Sequence, residues 1–205
     1  MALVTVSNNS LTAVTAIPAS IPTGALTLIK SITASASASI SFVDGTDGVV
    51  LDDTYKSYVF KFINIHPQND GVELGFNFST DGGSNYNVTK TTTFWYSVHN
   101  EDDSNTQLAY DTAGDLAQST SFQRIQFPGN DNDQSVSGKL CLFNPSSTTY
   151  VKHFMAVANA SLANNNSVNV FPAGYCNTTS AVDAVQFKFA SGNIDDGIIK
   201  LYGVK

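Results

Sequence analysis

Charged residues are scarce in this sequence. Only 13% of the 205 residues are charged, against about 25% in average soluble domains, and asparagine, serine, threonine and glycine occupy the polar positions instead. The formal net charge is −7, and Lys and Arg form no run anywhere in the chain. Because binding to nucleic acid depends on clustered basic side chains that displace counterions, we expect no nucleic acid partner.

Long apolar stretches are also missing. The apolar runs extend over only a few positions, whereas a membrane-spanning helix needs about 20 apolar residues. Residues 1–6 contain no Lys or Arg, so they lack the basic beginning of a secretory signal peptide. We therefore expect no membrane partner and a protein that stays in the cytosol where it is made.

Cysteine occurs only twice, as Cys141 and Cys176. A chain of this length buries enough surface to fold without disulfide staples. Cys141 also lies within an apolar run at residues 140–143. This context favours two free thiols, and a single disulfide is the alternative.

What the sequence does contain is an alternation of apolar and polar residues with a period of two. Residues 36–43 alternate apolar residues with serine, which is typical of a strand with one buried face. Residues 58–63 are apolar on both faces apart from one lysine, which predicts a central strand. Gly, Asn, Asp or Pro bound each such segment. The predicted strands are residues 26–32, 36–43, 58–63, 72–78, 89–98, 121–127, 137–143, 150–158, 181–189 and 197–204.

The spacing of these segments predicts an all-β fold, an antiparallel β-sandwich resembling a jelly roll. Residues 1–24 are predicted to form an extended N-terminal arm that packs on a neighbouring molecule, and residues 25–205 the sandwich domain. We expect a hairpin between residues 72–78 and 89–98, with its turn at Asp81-Gly82-Gly83. The polar residues 99–119 are the only place where a short helix is expected.

Residues that could support catalysis do not form a recognised grouping. His66, His99 and His153 lack the spacing of a zinc site. Glycoside hydrolysis needs two carboxyl groups held across a substrate by rigid elements. Glu73 is isolated, and Glu101 stands beside two aspartates in one polar loop. We therefore expect a protein that is not an enzyme, with no catalytic and no cofactor-binding residues.

Two aspartate-rich segments offer oxygen atoms of the kind that calcium binds. Residues 44–53 and 131–133 nevertheless lack the twelve-residue loop pattern with its closing glutamate. Asp and Asn also favour turns through hydrogen bonds to their own backbone. Turn formation is the preferred interpretation and no metal-binding residues are assigned, with calcium binding as the alternative.

Trp95 and Tyr96 are the candidate ligand-facing residues, and they follow Phe94 at the end of a predicted strand. Adjacent side chains of a strand point to opposite faces of the sheet, so at least one of these rings is expected to be exposed. An exposed ring stacks well on a sugar. The alternative is that one ring belongs to the core and the other to its rim.

Three segments carry a resemblance to a known group of proteins. Residues 187–203 read FKFASGNIDDGIIKLYG, residues 58–86 contain FINIHP and STDGGSNY, and residues 137–145 contain SGKL and LFNP. These segments resemble virion structural proteins of tailed bacteriophages, those of cyanophages and other marine phages in particular. The group has no catalytic motif that matches residues of this chain.

The resemblance implies a non-enzymatic virion protein, assembled in the host cytoplasm and exposed on the particle as a capsid decoration (cement) protein or a head fibre protein. Its implied partners are the major capsid protein or other virion proteins and copies of itself, in a homo-oligomer such as a trimer. The alternative is a tail fibre or other tail component whose β-sandwich binds a carbohydrate or a host receptor. In either case an arm laid across a neighbour would close a sheet edge.

Overall fold

The computed structural model describes residues 25–205, and every regular element in that range is a β-strand. That range therefore includes no helix able to cross a bilayer. The predicted arm, residues 1–24, lies outside the described residues and stays a prediction. The strands are β1 (Leu26–Thr33), β2 (Ile40–Val43), β3 (Ser57–Pro67), β4 (Leu74–Ser79), β5 (Lys90–Thr93), β6 (Trp95–Asn100), β7 (Thr106–Tyr110), β8 (Gln123–Gln126), β9 (Val136–Phe143), β10 (Lys152–Ser161), β11 (Asn166–Val170), β12 (Ala173–Cys176), β13 (Ala184–Phe189) and β14 (Ile194–Val204).

The strands form two antiparallel sheets with the connectivity of a jelly roll. In the larger sheet β1, β14, β3 and β9 are neighbours in that order, and in the smaller sheet the order is β2, β13, β4 and β8. Among these strands the chain changes sheet at every step except from β4 to β8, which is the double Greek key of a jelly roll. The predicted jelly-roll-like sandwich is confirmed.

Two insertions widen the larger sheet beyond β9. Residues 80–122 carry β5, β6 and β7, and residues 144–183 carry β10, β11 and β12. β10 pairs with β9, and on its other side with β12 and β11, which in turn pair with β5 and β6. β7 pairs with β6 and forms the edge of the sheet. The sheet thus extends well past the jelly roll on one side.

The insertion strands bend at two aromatic residues. Phe171 and Pro172 separate β11 from β12, and proline has no N–H group to donate to a sheet ladder. Phe94 separates β5 from β6 and is buried. The interruption between β5 and β6 lies beside the interruption between β11 and β12, as the hydrogen bond from the Phe171 N–H to the Trp95 carbonyl at 2.9 Å shows.

The core lies between the two sheets and is rich in phenylalanine. Phe187 of β13 occupies its centre, with ring centroids 5.6 Å from Phe60, 5.7 Å from Phe62, 6.3 Å from Phe76 and 6.5 Å from Phe42. β3 contributes alternate side chains to this cluster and lies between β14 and β9, as the sequence predicted for a central strand. The period-two pattern therefore identified the core face correctly.

The predicted hairpin between residues 72–78 and 89–98 is wrong. β4 has β13 on one side and β8 on the other, so it has no free edge for a hairpin partner. Asp81-Gly82-Gly83 does form a turn, in which both glycines have positive φ angles, 70° and 78°. The chain leaves the smaller sheet at this turn, and β5 joins the larger sheet by pairing with β12.

The helix expected within residues 99–119 is also wrong. Residues 101–103 make a turn, and the chain returns as β7, which pairs with β6 in a β-hairpin. The aspartates of this region cap turns: Asp102 accepts a hydrogen bond from the Ser104 N–H at 3.0 Å, and Asp111 from the Ala113 N–H at 2.8 Å. Such side-chain bonds to the backbone compete with helix formation.

Candidate functional site

A cleft opens where the larger sheet projects beyond the smaller one. The smaller sheet ends at β8. Within residues 25–205 it therefore covers only part of the inner face formed by β6, β7 and β11. The cleft has a volume of about 290 Å³. Its floor is a ladder of paired strand residues, with Tyr96 opposite Val170 and Val98 opposite Val168. The insertions thus form the floor, and the jelly roll forms the wall.

Trp95 and Tyr96 lie on opposite faces of β6. Tyr96 lines the cleft and packs against the core. Trp95 lies on the outer face, where its ring stacks on Phe171 with a centroid distance of 3.9 Å and an interplanar angle of 11°. The structure therefore separates the two candidate residues, and only Tyr96 belongs to the cleft.

Arg124 of β8 is the charged group of the cleft wall, and it is the only arginine in the sequence. Its guanidinium carbon lies 4.4 Å from the ring centroid of Phe94 and 4.9 Å from that of Phe127. Its side chain is mostly buried and forms an ion pair with Asp111. The Arg124 Nε atom, which is buried, has no hydrogen-bond partner among the described residues.

The ion pair keeps the cleft electrically neutral. Burial acts to raise the pKa of Asp111, but the Ala113 N–H and the Arg124 guanidinium outweigh it, so the pKa lies below its usual value. Asp111 is therefore ionised at neutral pH and balances the charge of Arg124. The other polar side chains of the lining are four uncharged amides and the hydroxyl group of Tyr96.

These amides surround the apolar floor. Gln107 lies opposite Val98 on β7, and Asn105 precedes that strand. Asn166 begins β11, and its buried Oδ1 atom has no hydrogen-bond partner within residues 25–205. Gln126 is satisfied, since its Nε2 donates to the Val168 carbonyl at 3.2 Å. The cleft therefore combines an apolar floor with amide groups that both donate and accept hydrogen bonds.

The remaining candidate residues are dispersed. His66 is bonded through Nδ1 to the Gln134 carbonyl at 2.7 Å, His99 pairs with Asp103 at the exposed end of the β6–β7 hairpin, and His153 lies on β10. Glu101 is exposed in the same hairpin turn. Within residues 25–205, no three His, Cys, Asp or Glu side chains come together as a metal-binding group.

The aspartate-rich segments form turns, as the preferred interpretation predicted. Asp44 accepts a hydrogen bond from the Leu51 N–H at 2.8 Å, and Asp52 accepts one from the Thr54 N–H at 2.8 Å. Residues 131–134 close a turn in which the Gln134 N–H donates to the Asp131 carbonyl. Each segment uses its own side chains or carbonyls to satisfy the backbone.

A buried polar cluster that the sequence did not reveal supports the first insertion. Lys90 of β5 is fully buried, and its Nζ donates to Asn77 Oδ1 at 2.6 Å and to the Val88 carbonyl at 2.8 Å. Cys176 of β12 lies between Lys90 and Lys152 in the strand register. Both cysteines are free thiols. Burial raises the pKa of Cys176 to about 12 despite the two lysines, so its thiol is protonated and unreactive at neutral pH.

Lys90 should make the stability of the protein depend on pH. Burial lowers its pKa from 10.5 to about 8, with Cys176 opposing the shift. Between these values the unfolded chain binds more protons at Lys90 than the folded chain does, so stability rises with pH. Relative to Lys90→Met, the wild type should gain about 1 kcal/mol of unfolding free energy between pH 8 and pH 9. Urea denaturation at the two pH values measures this difference, and a constant difference would show that Lys90 titrates normally.

The fold and the cleft together define this chain as a jelly-roll protein with two insertions that build a neutral, amide-lined cleft at one end of the larger sheet. No protein-family model, no curated protein and no solved structure matches the chain significantly.

Proposed function

We propose that this chain is a non-enzymatic structural protein of a phage particle, a capsid decoration or head fibre protein that assembles with copies of itself. The proposed location on a phage particle is supported by a resemblance to phage virion proteins in residues 58–86, 137–145 and 187–203. The jelly roll supports a structural role, because a β-sandwich with open sheet edges can pair with further copies of itself. The observation that carries the proposal is the exposed apolar edge of the larger sheet.

That edge is β7, which among residues 25–205 pairs with β6 alone. Leu108 of β7 is 71% exposed and Tyr110 is 53% exposed. Edge strands of proteins that stay monomeric usually carry charged residues or proline, which discourage pairing with another chain. β7 has the sequence TQLAY and carries neither. Its unpaired backbone groups and apolar side chains are therefore suited to receive an additional strand.

The occupant of this edge is residues 1–24 of a second copy. These residues contain no Asp, Glu, Lys or Arg, so they approach the acidic molecule without repulsion. Residues 11–17 read LTAVTAI, a pattern that suits a strand. When extended, residues 1–24 span up to roughly 80 Å, which is long enough to reach a neighbour from the beginning of β1.

Leu108→Lys should therefore weaken self-association at least tenfold, because it places a charge on the edge and removes the apolar contact. Met155→Lys is the matched control, since Met155 is 59% exposed but lies on β10, inside the sheet. Sedimentation velocity of the full-length variants over a concentration series measures the effect. Equal weakening in both variants would show that the edge has no special role.

The proposed location on a phage particle is tested by measuring whether the protein binds to such particles. Full-length protein is mixed with phage particles that lack it, the particles are sedimented, and the bound protein is quantified. Saturable binding that the chain of residues 25–205 loses supports a decoration or head fibre protein. Failure of the full-length oligomer to bind any particle would contradict the virion role while leaving self-assembly intact.

The cleft favours a second candidate function, a tail component whose β-sandwich binds a host glycan. This candidate function is supported by Tyr96, an aromatic residue that lines the cleft and could pack against a sugar ring. The two candidates differ in where the chain sits on a particle and in what it contacts there.

A further inference from the structure

We infer that the cleft between β8 and the β6–β7–β11 extension is a binding site for an uncharged saccharide of one or two rings. The inference concerns this cleft alone and holds whichever position the chain takes on a particle. It rests on the floor of the cleft, on its charge balance and on the exposed amide groups of its rim.

The floor suits the apolar face of a sugar ring. Tyr96 provides an aromatic side chain, and Val98, Val168 and Val170 extend the apolar surface around it. Sugar rings present a face of C–H groups that packs on such surfaces, with hydroxyl groups around the rim. The volume of about 290 Å³ is at the lower end of the range of about 300–1,000 Å³ for ligand pockets, which limits the occupant to a small one.

The charge balance excludes a strongly charged ligand. Arg124 is the only cationic group of the lining, and its ion pair with Asp111 neutralises it. An acidic ligand would have to compete with the Asp111 carboxylate, and a cationic ligand would have to compete with Arg124. A neutral ligand disturbs neither partner, and it leaves the guanidinium in its place between the rings of Phe94 and Phe127.

The polar groups match hydroxyl groups, which both donate and accept hydrogen bonds. Asn105 and Gln107 stand at the exposed rim, and their amide groups both donate and accept hydrogen bonds. A polyhydroxylated ligand that lies on the floor reaches both side chains. Arg124 Nε and Asn166 Oδ1 belong to lining residues but are themselves buried, so they are not assigned as ligand contacts.

The chain contains its own reporters for a titration. Arg124 is the only arginine and Trp95 the only tryptophan, so each gives one side-chain N–H signal in a ¹H–¹⁵N spectrum. Arg124 reports on the cleft, and Trp95 reports on the outer face of the same strands. Full-length protein is titrated with glucose, galactose, mannose, N-acetylglucosamine, their β-linked disaccharides and, as a charged probe, glucuronic acid.

We expect at least one neutral sugar to shift the Arg124 Nε–H signal saturably and to leave the Trp95 indole signal unchanged. Gln107→Ala should weaken that binding about tenfold, as expected for loss of a good hydrogen bond. Thr106→Ala is the matched control, since Thr106 is the preceding residue on β7 and faces the opposite side. Tyr96→Leu keeps apolar bulk but removes the ring, and it should also weaken binding about tenfold.

Three results would overturn the inference. The first is the absence of any saturable shift at Arg124, and the second is a shift produced only by glucuronic acid. The third is equal weakening by Gln107→Ala and Thr106→Ala. Each result is separable from self-assembly, because Leu108→Lys is expected to weaken the proposed edge contact while it leaves the cleft residues unchanged.

Discussion

Phe187→Ala should lower the free energy of unfolding by about 3–5 kcal/mol. Phe187 is fully buried, and its ring lies within 6.5 Å of four other phenylalanine rings drawn from both sheets. Its loss removes transfer free energy and leaves a cavity that well-packed neighbours cannot fill. The edge-to-face geometry with Phe42 adds a further contribution.

Urea denaturation followed by the fluorescence of Trp95 measures this loss. Phe143→Ala is the control, because the same atoms are removed from a side chain that is 38% exposed on the outer face of β9. The control should lose clearly less than Phe187→Ala, since the Phe143 ring is already partly in water and its removal leaves no enclosed cavity. Similar losses in both variants would mean that the core is not centred on Phe187.

Asn77→Leu should lower the free energy of unfolding by about 3–5 kcal/mol. The Asn77 side chain is fully buried, and its Oδ1 accepts hydrogen bonds from Lys90 Nζ and from the Phe78 N–H. Its Nδ2 donates to the carbonyls of Tyr86 and Thr120. Leucine fills the space but leaves two carbonyls and part of the Lys90 ammonium group without partners. Removing one partner of a buried charge is costly because the remaining charge stays desolvated.

The same urea experiment at two pH values tests this explanation. The loss caused by Asn77→Leu should be smaller at pH 9.5 than at pH 7, because Lys90, whose pKa is lowered to about 8, is then neutral. Asn159→Leu is the control, since the Asn159 side chain is exposed and donates a hydrogen bond to Ser167 Oγ on the neighbouring strand. A loss of stability that does not change with pH would mean that the unpaired charge of Lys90 is not its cause.

The jelly-roll part of the fold was readable from the sequence because its strands alternate cleanly. Residues 58–63 and 184–189 place large apolar side chains on one face, and that face is the core. The insertions were readable only in part, since the strands predicted at residues 89–98 and 150–158 correspond to β5, β6 and β10, whereas β7, β11 and β12 were not predicted. β7, β11 and β12 are short and rich in Asn, Thr or Gly, and Pro172 interrupts the run between the last two. These short segments become strands because they pair with neighbouring strands, and such pairing cannot be predicted from the local sequence pattern.

The candidate site was predicted only in part. The rule that adjacent strand residues point to opposite faces separated Trp95 from Tyr96 correctly, but it did not say which one would face a cleft. Arg124 was missed, although a single arginine in a chain with so few charges was a usable signal. Lys90 was missed because a lysine at the start of a threonine-rich strand has the pattern of a solvated residue. Its partner Asn77 lies on β4, in the other sheet, which the sequence pattern does not reveal.

The most direct test of the assembly proposal is the molar mass in solution, measured by light scattering, of the full-length protein beside the chain of residues 25–205. Residues 25–205 contain both sheets, and a cooperative urea transition of the shorter chain checks that it folds. We predict that the full-length protein has the mass of a discrete oligomer and that residues 25–205 have the mass of a monomer. A full-length protein with the mass of a monomer at high concentration, or a shorter chain that forms the same oligomer, would contradict the role given to residues 1–24.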